Sequence, residues 1–108
     1  MRFIYENPGD ILYGIEVFKF RYQGKNTAVI EVLSLIEDGQ FAYEAKIEEP
    51  NISTEFQEFT SASYDFKRSL NIDSPTVFNT KQEALQDAIN VINKIMKQKY
   101  ERTDEING

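Results

Sequence analysis

The sequence predicts a two-layer α+β domain: an antiparallel meander of three to four strands with one long C-terminal helix packed on one face. Three observations predict it. Between Thr80 and Tyr100, apolar residues recur at the three- and four-residue steps of one helix face. From Phe18 to Glu48 the pattern is strand alternation, interrupted by turn residues at Gln23–Asn26 and Asp38-Gly39. A chain of 108 residues supports one core of one or two layers. Residues 1–108 are therefore read as a single α+β domain, with 101–108 as a frayed tail.

Taken in order, Phe3-Ile4-Tyr5 is a short apolar start stopped by the turn residues Asn7-Pro8-Gly9-Asp10. A strand follows from about Leu12 to Tyr22, with Phe18, Phe20 and Tyr22 on one side, Lys19 and Arg21 on the other, and a bulge near Gly14. Thr27 to Glu37 is rich in Val, Ile and Leu on both faces, as a central strand is. Asp38-Gly39 reads as a two-residue hairpin turn into the strand Gln40–Glu48. That turn sets a register with Ile36 opposite Phe41, Ser34 opposite Tyr43, Val32 opposite Ala45, Ile30 opposite Ile47, and Glu31 paired with Lys46. The helix-facing side then collects Ile30, Val32, Ile36, Phe41, Tyr43 and Ile47. Phe18 and Phe20 join it only if the first hairpin has an odd offset, which a Gly24-Lys25-Asn26 loop with left-handed Asn26 supplies.

Residues 49–79 are less patterned. Pro50-Asn51 ends the third strand, and Phe56 and Phe59 stand one helical step apart with Thr54 as a cap. Tyr64, Phe66 and Leu70 suit a short helix or an edge strand, and Thr76-Val77-Phe78 is an extended run into the last helix. Thr80 and Glu83 form a capping box there. The helix's apolar face is Leu85, Ala88, Ile89, Ile92, Ile95, Met96 and Tyr100, with acids early (Glu83, Asp87) and bases late (Lys94, Lys97, Lys99).

Composition narrows the chemistry. The chain has no cysteine and no histidine, which removes disulfides, thiolate ligands, and the commonest general base and metal ligand. Neither a phosphate loop, a dinucleotide glycine pattern, a nucleophile elbow nor a calcium loop is present. No catalytic, metal or cofactor residue is therefore assigned, and a non-enzymatic protein is expected. The amino terminus lacks the apolar core of a signal peptide, and no run is long enough to span a bilayer, so a cytoplasmic protein away from membranes is expected.

Net charge is −6 at a pI of about 4.6, which favours basic partners over nucleic acid. The charge is uneven: no Lys or Arg lies between Lys46 and Lys67, whereas Glu48, Glu49, Glu55, Glu58 and Asp65 do. On the sheet, Val17, Val29, Leu33, Leu35 and Ala42 point away from the helix, too apolar a set for plain solvent exposure. Either residues 49–79 fold over that face, or it meets a partner or a second copy of the chain. Glu48, Glu49, Glu55, Glu58, Asp65, Val29, Leu33 and Leu35 are the candidate partner-binding residues.

The functional expectation is an acidic protein-interaction domain, of inhibitor or immunity type, that binds a basic partner; short acidic proteins of phages and toxin–immunity systems use this strategy. The alternative is a small nucleic-acid-associated or antitoxin-like regulator reading bases with Phe18, Phe20 and Tyr22, flanked by Lys19 and Arg21. The segment Phe78-x-Thr80-x-x-Glu83-Ala84-Leu85-x-x-Ala88-Ile89 resembles the last helix of small antitoxin domains of the HicB-like kind. The resemblance spans a dozen residues and implies a capped amphipathic helix; no function is carried over from it.

Overall fold

The computed structural model describes residues 3–49, 52 and 57–107. Strands β1 (Tyr13–Tyr22), β2 (Lys25–Leu35), β3 (Gln40–Ile47) and β4 (Glu58–Thr60) form one antiparallel sheet in the order β1-β2-β3-β4. Helix α1 (Tyr64–Ser69) follows the sheet, and helix α2 (Lys81–Asn107) lies across one face, chiefly over β3 and β2. This is the α+β meander that the alternation and the amphipathic helix predict. The readings placed on Pro50, Asn51, Thr54 and Phe56 lie outside the described residues.

Both hairpins differ in detail from expectation. In the first, the turn is Gln23-Gly24, both at positive φ (51° and 80°), and Tyr22 pairs with Lys25. Two consecutive left-handed residues match the strand twist, and glycine takes the second without strain. Asn26 already belongs to β2. The odd offset comes instead from a β-bulge: Arg21 pairs with Asn26 but Phe20 with Ala28, leaving Thr27 as the extra residue. Thr27 is buried, and its Oγ1 accepts from the Tyr22 N–H at 3.3 Å while donating to the Lys25 carbonyl at 2.9 Å. The bulge puts Phe18 opposite Ile30 on the helix side, as the core requires. Gly14 pairs regularly with Ser34, so no bulge lies there.

The second hairpin has a four-residue loop, Ile36 to Gly39, with Leu35 opposite Gln40. Gly39 alone in this loop has positive φ (66°), and its N–H donates to the Leu35 carbonyl at 2.9 Å. A two-residue type I′ turn would need Asp38 in the left-handed region too. The longer loop shifts the register by two, which preserves faces but changes partners. Val32 meets Tyr43, Ile30 meets Ala45, and Glu31 meets Glu44 rather than Lys46. Ile36 leaves the core side and is exposed in the turn.

Residues 57–79 pack on the helix side and do not fold over the opposite face. Phe59 of β4 stacks on Phe66 of α1 with ring centroids 5.7 Å apart, and Phe78 bridges to Phe41 through two 2.8 Å backbone hydrogen bonds. The core therefore joins Ile30, Val32, Tyr43, Ala45 and Ile47 of the sheet to Phe59, Leu70 and Phe78, under Ala88, Val91, Ile92 and Ile95 of α2. Thr80 caps α2 by accepting the Glu83 N–H at 3.1 Å. Ala84 and Val91 are fully buried while Leu85 and Ile89 are only partly so, so the buried arc is centred on Ala84, Ala88, Val91, Ile92 and Ile95. The Tyr100 side chain lies outside the described residues. The helix runs on to Asn107 where a frayed tail is the sequence expectation; no Gly or Pro interrupts residues 81–107.

A buried polar cluster ties both helices to the sheet. Lys67 of α1 is fully buried, and its Nζ donates to Asp87 Oδ2 of α2 at 3.3 Å and to the Pro75 carbonyl at 2.9 Å, over the Phe78 ring at 5.8 Å. The Tyr43 hydroxyl donates to the same Asp87 oxygen at 2.7 Å. Asp87 is thus a buried acceptor joining sheet and both helices, beyond any role with the helix dipole. Burial, then the Asp87 hydrogen bond and charge, raise the Tyr43 phenol well above the ordinary tyrosine range. With the folded value above the unfolded one, this contribution is whole below about pH 10 and is lost as pH rises beyond it. Tyr43→Phe should therefore flatten the fall in stability between about pH 9 and 11 in urea unfolding; equal slopes in the two proteins would contradict the assignment.

Candidate functional site

With α1 and α2 on one side, nothing among the described residues lies over the opposite sheet face: Ile15 and Val17 are exposed there, and Val29, Leu33, Leu35 and Ala42 are half-buried. Strand alternation sends Tyr13, Ile15, Val17, Lys19 and Arg21 of β1, Val29, Glu31, Leu33 and Leu35 of β2, and Ala42, Glu44 and Lys46 of β3 to this side. Glu58 and Thr60 of β4 join them, opposite Lys46 and Glu44. The face is divided. Apolar side chains gather where β1 begins and β2 ends, and charged ones where β2 begins and β3 meets β4.

The charged part is a shallow hollow of about 630 Å³. Glu31, Glu44, Glu48 and Glu58 line it against a single base, Lys46, with Val29 on its floor. Glu31 and Glu44 stand directly opposite each other on β2 and β3, a like-charge pair that costs stability. Lys46 faces Glu58 across β3 and β4, so one carboxylate of the group has a cation opposite it. Among the described residues no three or more acidic side chains approach closely enough to hold a metal ion. The carboxylates are spread over a surface, an arrangement suited to several separate cations such as lysine and arginine side chains.

The expected residues divide accordingly. Glu48, Glu58 and Val29 come together in the hollow. Leu33 and Leu35 share its face but lie toward the apolar end; Leu35 borders a small crevice with Tyr5, Ile11 and Leu12. Glu49 is half-buried beside the hollow and does not line it, Asp65 is exposed on α1, and Glu55 lies outside the described residues. Glu31 and Glu44 are the additions. Their signal was strand parity: each points to the same face as Lys46. A scan for runs of charge along the chain passes over them, because the sheet gathers them from strands that are distant in sequence.

Phe18, Phe20 and Tyr22 pack against the core on the helix side. The aromatic row that base stacking would use thus belongs to the covered face. No helix among the described residues is long and apolar enough to cross a membrane. In comparisons with known proteins, no family model, no curated protein and no solved structure matches this chain.

Proposed function

We propose that this chain is a non-enzymatic protein-interaction domain whose acidic hollow and adjoining open sheet hold a basic protein partner, in the manner of an inhibitor or immunity protein. The observation that supports this most is the convergence of Glu31, Glu44, Glu48 and Glu58 on one hollow of the sheet face away from the helices. Nothing in the core needs these carboxylates there, and the Glu31–Glu44 juxtaposition works against folding. A cation-bearing partner relieves that repulsion, so binding and the local charge pattern favour each other. The nucleic-acid reading has less support: the face left open is acidic at one end, and the aromatics it would need are turned inward.

The test is an NMR titration at low salt with a short Lys/Arg-rich peptide. Shifts should concentrate on Val29, Glu31, Glu44, Lys46, Glu58 and Thr60 and fade as salt is raised. The double variant Glu44→Lys/Glu58→Lys should weaken binding by at least about tenfold. Shifts scattered over all exposed acids, or a double variant that binds as well as the parent, would sink the proposal. A parallel titration with single-stranded DNA that moved Phe18, Phe20 and Tyr22 instead would favour the regulator.

A further inference from the structure

Strand β1 is unfinished on three sides. Its outer edge pairs with nothing among the described residues, although it is 10 residues long against 3 for β4 at the other edge. On the open face Tyr13, Ile15 and Val17 are 45%, 52% and 57% exposed. On the helix side Phe18, Phe20 and Tyr22 are only partly buried, because α2 lies over β3 and β2 and reaches β1 least. Edge strands are normally protected by short length, charged side chains, proline, bulges or inward charge; the bases of β1, Lys19 and Arg21, stand only in its second half. In this hairpin the bulge lies on β2, β1 holds no proline, and its inward Glu16 is already paired to Lys81 Nζ at 2.8 Å.

We propose that β1 is a homodimerisation edge, where a second copy adds its own β1 antiparallel across a two-fold axis to make a continuous eight-stranded sheet. Charge narrows the register. Side chains directly opposite share a face, so the axis passes through one residue of β1. An axis at Glu16 sets two carboxylates against each other, and one at Lys19 sets two ammonium groups together. An axis at Val17 places Val17 against its own copy, Ile15 against Lys19 and Tyr13 against Arg21, with no like charges directly opposed. It also lays a guanidinium beside the Tyr13 ring. An axis at Phe18 loses the Tyr13–Arg21 pair to the turn. The Val17 register covers the exposed aliphatic row on one face; on the other it sets Phe18 opposite Glu16 and Phe20 opposite Gly14, with the two Phe18 positions diagonal across the axis. Isologous pairing of this kind closes as a dimer and leaves no long free edge. The acidic hollows lie on β2 to β4, with Glu31 and Val29 one strand away from the interface.

The 108-residue chain should sediment with twice its 12.6 kDa mass. Val17→Lys puts like charges face to face at the axis and should raise the dimer dissociation constant at least about tenfold, with an unchanged circular dichroism spectrum. Val17 is an exposed residue, so the monomer keeps its fold. The chain has no cysteine, so Val17→Cys should form a symmetric intermolecular disulfide on mild oxidation, since directly opposed strand positions lie within disulfide reach. A monomer at about 100 µM would overturn the proposal. So would a dimer that Val29→Lys dissociates and Val17→Lys does not, because the contact would then be the sheet face. Val17 stands opposite Glu31 of the hollow, so peptide binding is compared in Ile15→Lys, which opposes Lys19 of the second copy and lies beside Leu33 instead, and this reports on the proposed function separately from the dimer result.

Discussion

Asp87→Ala should destabilise the protein by about 3–5 kcal/mol, a large fraction of the stability of a domain this size. The reason is what remains behind. Lys67 is 0% exposed, and without Asp87 its ammonium keeps only the Pro75 carbonyl and the face of Phe78. Tyr43 loses the acceptor of its hydroxyl at the same time. A buried charge and a buried donor are orphaned together, and α1 has no other polar anchor to α2 among the described hydrogen bonds. Tyr43→Phe leaves the ion pair intact and should cost only about 1–2 kcal/mol. Replacing the pair by Lys67→Met with Asp87→Leu should recover most of the loss, because the desolvation of both charges is then no longer needed. Urea unfolding of the four proteins reads the series; an Asp87→Ala loss below that of Tyr43→Phe would show that the pair is not buried as described.

Phe78→Ala should cost about 3–5 kcal/mol by a different route. Phe78 is 6% exposed, lies near-parallel to Tyr43 with ring centroids 6.3 Å apart, and lies beneath the Lys67 ammonium. Its backbone bridges Phe41, so the segment entering α2 stays tied to β3 while a ring-sized void opens beside Tyr43. Because Phe78 and Asp87 share Lys67 and Tyr43 as neighbours, the double variant Phe78→Ala/Asp87→Ala should lose less than the two losses combined, by about 0.5–3 kcal/mol. Additive losses in denaturant unfolding would separate the two residues into independent sites.

The contrast between these residues and the hairpins marks what sequence could give. Strand parity and the helical steps of Ala88, Ile92 and Ile95 are local, so the layers, and the faces of Phe18, Ile30 and Tyr43, were legible. Register was legible only to the nearest even step. Asp38-Gly39 fits a two-residue turn as well as the end of a four-residue loop, and the choice between them is made by backbone φ at Asp38, which the residue type leaves open. The odd offset of the first hairpin followed from the core, but whether a loop or a bulge supplies it depends on Thr27 finding partners for its hydroxyl. Lys67 and Asp87 stand 20 positions apart and each resembles a surface charge, so their pairing could not be read from either neighbourhood. For the same reason Glu48 and Glu58 were visible in the sequence as part of an acidic run, whereas Glu31 and Glu44 joined these two only once the sheet was assembled.

The sheet is covered on one side and, among the described residues, open on the other. Since the chain contains no cysteine, single cysteines at Val29 and Leu33 on the open side, and at Ile30 and Val32 beneath α2, give a direct measurement of thiol labelling under native conditions. At micromolar protein the open-side thiols should label at rates within about tenfold of a free thiol, and those beneath the helix only as fast as the protein opens. Equal protection of all four positions would mean that the second face is covered as well, and the acidic hollow would then have no room for a partner.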